Sequence, residues 1–564
     1  MTFSSTEHAT SKPAPREDDD LIAELLQHAR NAVTRSAGLS ADAAAVDTVL
    51  HRDLRRHCHA MASTVSEVSD SFRNWATHVP WDQVAALRDD AVPAEERAPA
   101  DWRFSQHELP AIIRTLEELA APSYLEEEVN EVEGFALDKN AYDFYRPAGA
   151  NLIRRTDDYY AWVEARRNTE LWQYSRTLEA SPSNVSALRN DLGRLAKGIN
   201  YNSQDYLSLN THPAVRAAVH EALLEFGPHS AGSPMVLGNT HYSNSLEEAL
   251  AELTRMEHVM LFPTGWAAGF GSIVGLVRQD DHVVLDRLAH ACLQQGARAA
   301  TRNLSRYEHL NIEAAREAVR EIRARDAHNG ILVVTDGLFS VDSDYCDLEK
   351  LQEYCREYDA TLLVDTAHDL GSMGPGGTGI LGMQGMLGKV DLVMSSFSKV
   401  FASNGGFLAS RSPSVKQYVK MFSGTHLFSN ALSAPQAAAV LQATRIVRSP
   451  EGDTLRGKLF AAIHGLRDEL TRLGLTCMGE PSPIVPLLIG NEKLARVAHR
   501  LVFERNVLAF MVEFPIAPTG ASRFRLQVQA SHTPEQGQEA ARVFAEVITE
   551  ARSYLSSAFG MGLS

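Results

Sequence analysis

Hydrophobic and polar positions follow two different rhythms along this chain. Between about Asp19 and Ala121 the apolar residues recur at helical spacing, as in Leu21, Ile22, Leu25, Leu26 and Ala29, with a break at Gly38. Pro93 and Pro99 mark a loop, and a helical pattern resumes from Leu109 to Leu119. From about Asn200 the rhythm changes. Apolar runs of strand length appear at 258–262, 282–285, 330–335, 360–365 and 390–395, separated by amphipathic segments long enough for helices. That alternation predicts an α/β unit, a mostly parallel sheet covered by helices on both faces. After about Ile446 a second α/β pattern follows and ends in a helical segment over 534–556. The expected organisation is a disordered tail over 1–20, an α-helical extension over 21–190, a large α/β domain with an N-terminal arm over 191–445, and a small C-terminal α/β domain over 446–564.

Composition narrows the class. A length of 564 residues predicts more than one domain, and 44% hydrophobic with 22% charged residues is ordinary for a globular protein. The formal net charge of −17 argues against a nucleic-acid binder, because phosphate binding is driven by clustered Lys and Arg. Five cysteines form no CxxC pair and no zinc-like pattern, which predicts a reducing, cytoplasmic setting and no metal site. No stretch approaches the ~18 apolar residues of a membrane span.

The candidate chemistry lies where the apolar runs end. One run closes on Asp365-Thr366-Ala367-His368 and the next on Ser396-Phe397-Ser398-Lys399, just before Gly405-Gly406. In a parallel sheet, ligands bind beyond the carboxyl ends of strands. A lysine amine for a Schiff base and a carboxylate for a pyridinium nitrogen are what pyridoxal phosphate requires of a protein. The other strand ends fit the same cofactor. Thr264, Gly265 and Trp266 open a helix whose free N–H groups suit a phosphate, and Ser396 is within reach of the same group. His290 is placed to lie on the ring, while Ser340 and His368 are placed to reach its phenolic oxygen. Lys399 would hold the cofactor and then serve as general base, with Asp365 keeping the ring cationic.

Taken together these residues resemble the α-oxoamine synthases, the family of 8-amino-7-oxononanoate synthase, 2-amino-3-ketobutyrate ligase, 5-aminolevulinate synthase and serine palmitoyltransferase. The resemblance covers about residues 198–555, with eight motifs in order. Besides those above, they include Asn202 to Leu207, Leu246-Glu247 with Leu250-Ala251, Asp336 to Asp342, Leu427 to Asn430 and Arg523-Phe524-Arg525. It implies fold type I, with a mostly parallel seven-stranded sheet domain and a small C-terminal domain. It implies a homodimer in which Ser429 and Asn430 reach the partner subunit's phosphate, and Arg525 as the amino-acid carboxylate ligand. Gln204 stands near the substrate where the family usually has asparagine. Pro234 and Ser243 also depart from the pattern, which leaves the substrates open.

The implied reaction condenses a small amino acid with an acyl thioester, of coenzyme A or an acyl carrier protein, with loss of CO2, giving an α-aminoketone. An aminotransferase and a non-catalytic subunit of such a synthase are the alternatives. A transcription regulator is disfavoured, since the N-terminal half shows no basic recognition helix. The stretch 38–50 loosely resembles the first half of an acyl carrier, but the Asp-Ser-Leu site that should follow is missing. Residues 142–176 concentrate aromatics and arginines, including Tyr142, Trp162, Trp172, Tyr174, Arg154, Arg155, Arg166, Arg167 and Arg176. That segment predicts either an aromatic packing face or a docking surface for an anionic acyl donor.

Overall fold

The computed structural model describes residues 15–36, 48–68, 81–85, 103–113 and 134–561. The chain forms two compact units, Met1–Val129 and Asn130–Ser564. In the first, helices Pro15–Ser36 and Thr48–Glu67 bury Leu25, Ala29 and Ala32 with Leu54, Met61 and Val65 in one apolar cluster. The first helix begins inside the tail expected to be disordered. Residues 103–113 are helical. The loop at Pro93 and Pro99, and most of the carrier-like stretch at 38–50, lie outside the described residues.

The boundary expected at 190 falls within the second unit. Residues 177–189 are not helical: β1 (Thr177–Leu178) and β2 (Val185–Arg189) pair antiparallel, and β2 pairs with β3 (Leu195–Asn200). Asn190 accepts from the backbone N–H groups of Leu192 and Arg194, which closes a hairpin turn between β2 and β3. The arginine-aromatic segment is packed in part and open in part: Tyr142, Tyr145, Arg154 and Tyr160 are exposed. Trp162 and Arg166 are almost fully buried, with the guanidinium 4.0 Å from the indole centroid. Arg167 pairs with Glu164 and Asp191, and Arg176 stacks over Phe503.

The large sheet comprises β4 (His258–Phe262), β5 (His282–Asp286), β6 (Asn303–Tyr307), β7 (Ile331–Asp336), β8 (Thr361–Asp365), β9 (Leu392–Ser396) and β10 (Gly406–Ser410), in spatial order β4-β10-β9-β8-β7-β5-β6. Only β10 runs antiparallel to its neighbours. Successive residues of β5 alternate between two apolar cores, Val284 on one face and Val283 with Leu285 on the other. Burial on both faces is why these strands read as unbroken apolar runs. The parallel register sets Asp336 level with Asp365, and Asp365 level with Met394, so the ends of β7, β8 and β9 share one edge. Beyond it, β11 (Ile484–Gly490), β13 (Phe510–Val512) and β14 (Ser522–Gln527) form a three-stranded antiparallel sheet, and β12 (Val507–Leu508) joins β3. The last helix spans Pro534–Phe559. Among the described residues, no helix is long and apolar enough to cross a membrane.

Candidate active site

One cavity of ≈ 400 Å³ opens at the shared strand edge, and eleven of the expected site residues line it: Gln204, Thr264, Gly265, Trp266, His290, Ser340, Asp365, His368, Ser396, Lys399 and Arg525. Each arrives by a local rule. Thr264 follows β4 and caps helix Gly265–Leu276, its hydroxyl accepting from Ala267 N–H at 3.0 Å, which leaves the N–H groups of Gly265 and Trp266 at a positive helix end. Gly265 is required there. A Cβ on it would lie 2.2 Å from Ser396 Oγ, and Gly406 backs it from β10. Ser396 Oγ lies 2.8 Å from Ser398 Oγ.

His290 caps helix Ala291–Ala300. Its Nδ1 accepts from Cys292 N–H at 3.3 Å and lies 2.9 Å from Cys292 Sγ, and the His290 backbone N–H donates to Asp336 Oδ1 at 3.2 Å. The Trp266 ring meets the His290 ring edge-on, with centroids 6.2 Å apart. Asp365 is buried, and one carboxylate oxygen accepts from Ala367 N–H at 2.9 Å. His368 is buried with Nδ1 2.8 Å from the Tyr206 hydroxyl. The Arg525 guanidinium is buried, and its Nε donates to the Ser340 carbonyl. Beside it, Arg523 is ion-paired with Asp342.

Electrostatics follow from burial. Desolvation pulls the Lys399 amine below its ordinary value, opposed by the Asp365 charge. Burial pushes Asp365 up, while His290 and Lys399 pull it back toward ionisation. Asp336 is raised further, by burial and then by the neighbouring Asp365 charge. His290 and His368 are both held below the usual imidazole value by burial, which favours neutral rings. The result is a lysine near a carboxylate, with neutral imidazoles around them.

Ser429 and Asn430 do not line this cavity. Asn430 is exposed, with its side-chain nitrogen 3.1 Å from His229 Nε2. Several lining residues were not among the expected site residues: Cys292 and Asp336 near the polar groups, and Phe510, Val512 and Ile516 on an apolar wall. Among the described residues, one trio has atoms close enough for a metal, His290, Cys292 and Asp365 within 4.8 Å of one another, and all three line this cavity.

The residues present fit pyridoxal phosphate. A helix N-terminus with a glycine that tolerates no side chain suits the phosphate, and a buried carboxylate suits the pyridine nitrogen. Gln204 Oε1 is buried without a partner beside the same space. The sheet and this lysine site define a fold type I pyridoxal-phosphate protein. Residues 196–544 match the model of the class I and II aminotransferase family. An 8-amino-7-oxononanoate synthase of Stutzerimonas stutzeri is 32% identical over 69% of this chain and 97% of its own. That of Pseudomonas putida strain KT2440 is 33% identical over the same shares. Among solved structures, the Sphingomonas wittichii serine palmitoyltransferase superposes with a TM-score of 0.67 at 25% identity, over 72% of this chain and 100% of its own. A high-resolution structure of such an enzyme with pyridoxal phosphate gives the same TM-score and identity over 71% and 99%. The chain belongs to the class I and II aminotransferase family, in its α-oxoamine synthase branch, and its cofactor is pyridoxal phosphate.

Proposed function

We propose that this protein condenses a small amino acid with an acyl thioester, releasing CO2 and a thiol and leaving an α-aminoketone. The observation that carries the reading is that Lys399, Asp365, His290 and Arg525 line one cavity that also has an apolar wall. When bound, pyridoxal phosphate joins an amine and withdraws electrons from the carbon next to it. Thr264, Gly265, Trp266 and Ser396 would hold its phosphate, Asp365 would keep its ring nitrogen protonated, and His290, Ser340 and His368 would hold the ring and its phenolic oxygen. Arg525 holds the amino-acid carboxylate, and Gln204 turns its unpartnered oxygen to the substrate. Lys399, its amine pulled below the ordinary lysine value by burial, removes the Cα proton. The Cα electron pair attacks the thioester carbonyl, so a C–C bond forms as the C–S bond breaks and the sulfur leaves as a thiolate, which takes a proton from solvent. Loss of the carboxylate as CO2 returns an electron pair to Cα, and Lys399 supplies the proton back.

In this reading the donor is coenzyme A or a carrier protein, the setting is the cytoplasm, and the active form is a homodimer with Ser429 and Asn430 serving the partner's site. The test supplies candidate amino acids with acyl thioesters and follows thiol release and CO2 together. Equal amounts of both support the condensation. Transfer of the amino group to a 2-oxo acid, with no thiol released, makes the protein an aminotransferase.

A further inference from the structure

The apolar wall of the cavity is formed by Phe510 and Val512 on β13 and by Ile516 just beyond it. Ile516 is 53% exposed and Trp266, another lining residue, 44%, which sets both at the mouth. Leu338, Val341 and Met394 also line the cavity, and its charged groups are Asp336, Asp365, Lys399 and Arg525. A small amino acid with its carboxylate on Arg525 satisfies those, so the wall is left for the hydrocarbon of the second substrate.

Three contacts reach this wall from residues that precede the matched region 196–544. Tyr174 meets Phe510 edge-on with centroids 6.1 Å apart, at the end of a ring-to-ring run from Trp162 through Trp172. Tyr142 meets Phe514 edge-on at 5.6 Å. Between those two rings in sequence, buried Glu513 accepts from Arg166 Nη1 at 3.2 Å and from Arg496 Nε at 2.7 Å. The guanidiniums direct their other N–H groups to the carbonyls of Ala136, Leu137 and Lys139. Apolar contacts alone tolerate sliding. A buried carboxylate between two guanidiniums does not, because any displacement leaves a buried charge unpaired.

We propose that residues 135–174 brace the acyl-side wall of the cavity, with Arg166 and Glu513 as positioning residues that set how long an acyl chain the mouth admits. The chain-length part rests on the thioester reading above; the brace does not.

Arg166→Lys, Arg166→Met, Glu513→Gln and Tyr174→Leu test it in the holoenzyme. Amide hydrogen exchange over 510–516 is expected to quicken by about tenfold or more, with β7, β8 and β9 unchanged. The ratio of kcat/KM for long against short acyl-coenzyme A donors is expected to shift severalfold, while the amino-acid Kd, read from cofactor absorbance, stays constant. Arg166→Lys keeps the charge but not the planar fork, so it should be milder than Arg166→Met. Unchanged exchange at 510–516, or exchange that rises equally across the sheet, overturns the brace. A uniform loss of rate with constant chain-length preference overturns its role in selectivity. Should Arg166→Met fail to fold, Arg166→Lys decides, since it keeps the buried positive charge while removing the planar fork. If wild-type protein releases thiol from no thioester, the reaction assignment falls, and the exchange measurement still decides the brace.

Discussion

Lys399 sits where burial and the Asp365 charge work against each other: the first disfavours its ammonium form, the second favours it. A lysine balanced in this way gives up its proton more readily than a surface lysine, as an amine that bonds a cofactor and then moves protons must. Lys399→Ala should therefore lose the lysine adduct that borohydride traps in the wild type, and peptide mapping checks this. An adduct on another lysine would refute the site. Asp365→Asn should still bind cofactor, since shape is kept, yet lose on the order of a hundredfold or more in kcat because the amide carries no charge. Gly265→Ala forces a methyl to within 2.2 Å of Ser396 Oγ. It is expected to destabilise the holoenzyme by about 1–3 kcal/mol and weaken cofactor binding, read from melting temperature and a cofactor titration. At this scale the legible residues were those at the ends of apolar strands, where pattern and chemistry coincide. Cys292 carried no such mark, and Asp336, though it closes the apolar run 330–335, was given no role. Cys292 enters the cavity through the cap geometry of His290, and Asp336 through a register match with Asp365, neither of which one sequence displays.

Among the elements, the β5, β6 and β7 ends are tied together by His309. Its Nδ1 is 3.0 Å from Asp286 at the end of β5, and its Nε2 is 3.2 Å from Asp344 in the loop after β7, the loop that carries Ser340. With a carboxylate at each nitrogen, both must donate. Burial opposes the charge, but the bonds to Asp286 and Asp344 outweigh it and raise the imidazole to about 10 from an ordinary 6.5. A folded-state pKa raised in this way contributes stability fully below 6.5 and loses it as pH climbs through about 10. The urea midpoint of the wild type should fall across that window, and His309→Gln should flatten the fall while costing about 3 kcal/mol at its lower end. A parallel decline in both proteins would show that His309 is not the titrating group. The five expected strands of the large sheet were legible because burial on both faces leaves an apolar run. β6 was not, since it lies at the sheet edge with polar Asn303, Ser305 and Arg306. β10 opens on the second of two glycines and reads as a turn until β4 and β9 are seen to flank it. The strands β1 and β2 were absorbed into a helical extension ending at 190, because they are short and follow a truly helical segment, Asp157–Asn168.

For the whole molecule, what the second unit leaves exposed points to a second copy. Val236 and Phe428 are each 85% exposed and Leu237 is 73% exposed. Their segments are adjacent: Ala431 N–H donates to the Gly232 carbonyl at 2.9 Å, and Ser230 Oγ donates to the Ala431 carbonyl at 2.9 Å. Apolar side chains held together in the open are unusual for a monomer and common at subunit interfaces. Ser429 and Asn430 lie in this patch and outside their own chain's cavity, the arrangement a composite site requires. The expected test is subunit mixing. A Lys399→Ala chain keeps Ser429 and Asn430, and a Ser429→Ala/Asn430→Ala chain keeps Lys399, so neither homodimer has a complete site. Each heterodimer has one complete site if the sites are shared and none of the sites is whole if they are not. Random exchange makes half of the dimers heterodimers, so roughly a quarter of wild-type activity should return on mixing. Heterodimers shown to form by native mass spectrometry, with no activity regained, would confine each site to a single chain and leave the exposed patch as a contact surface without a catalytic part.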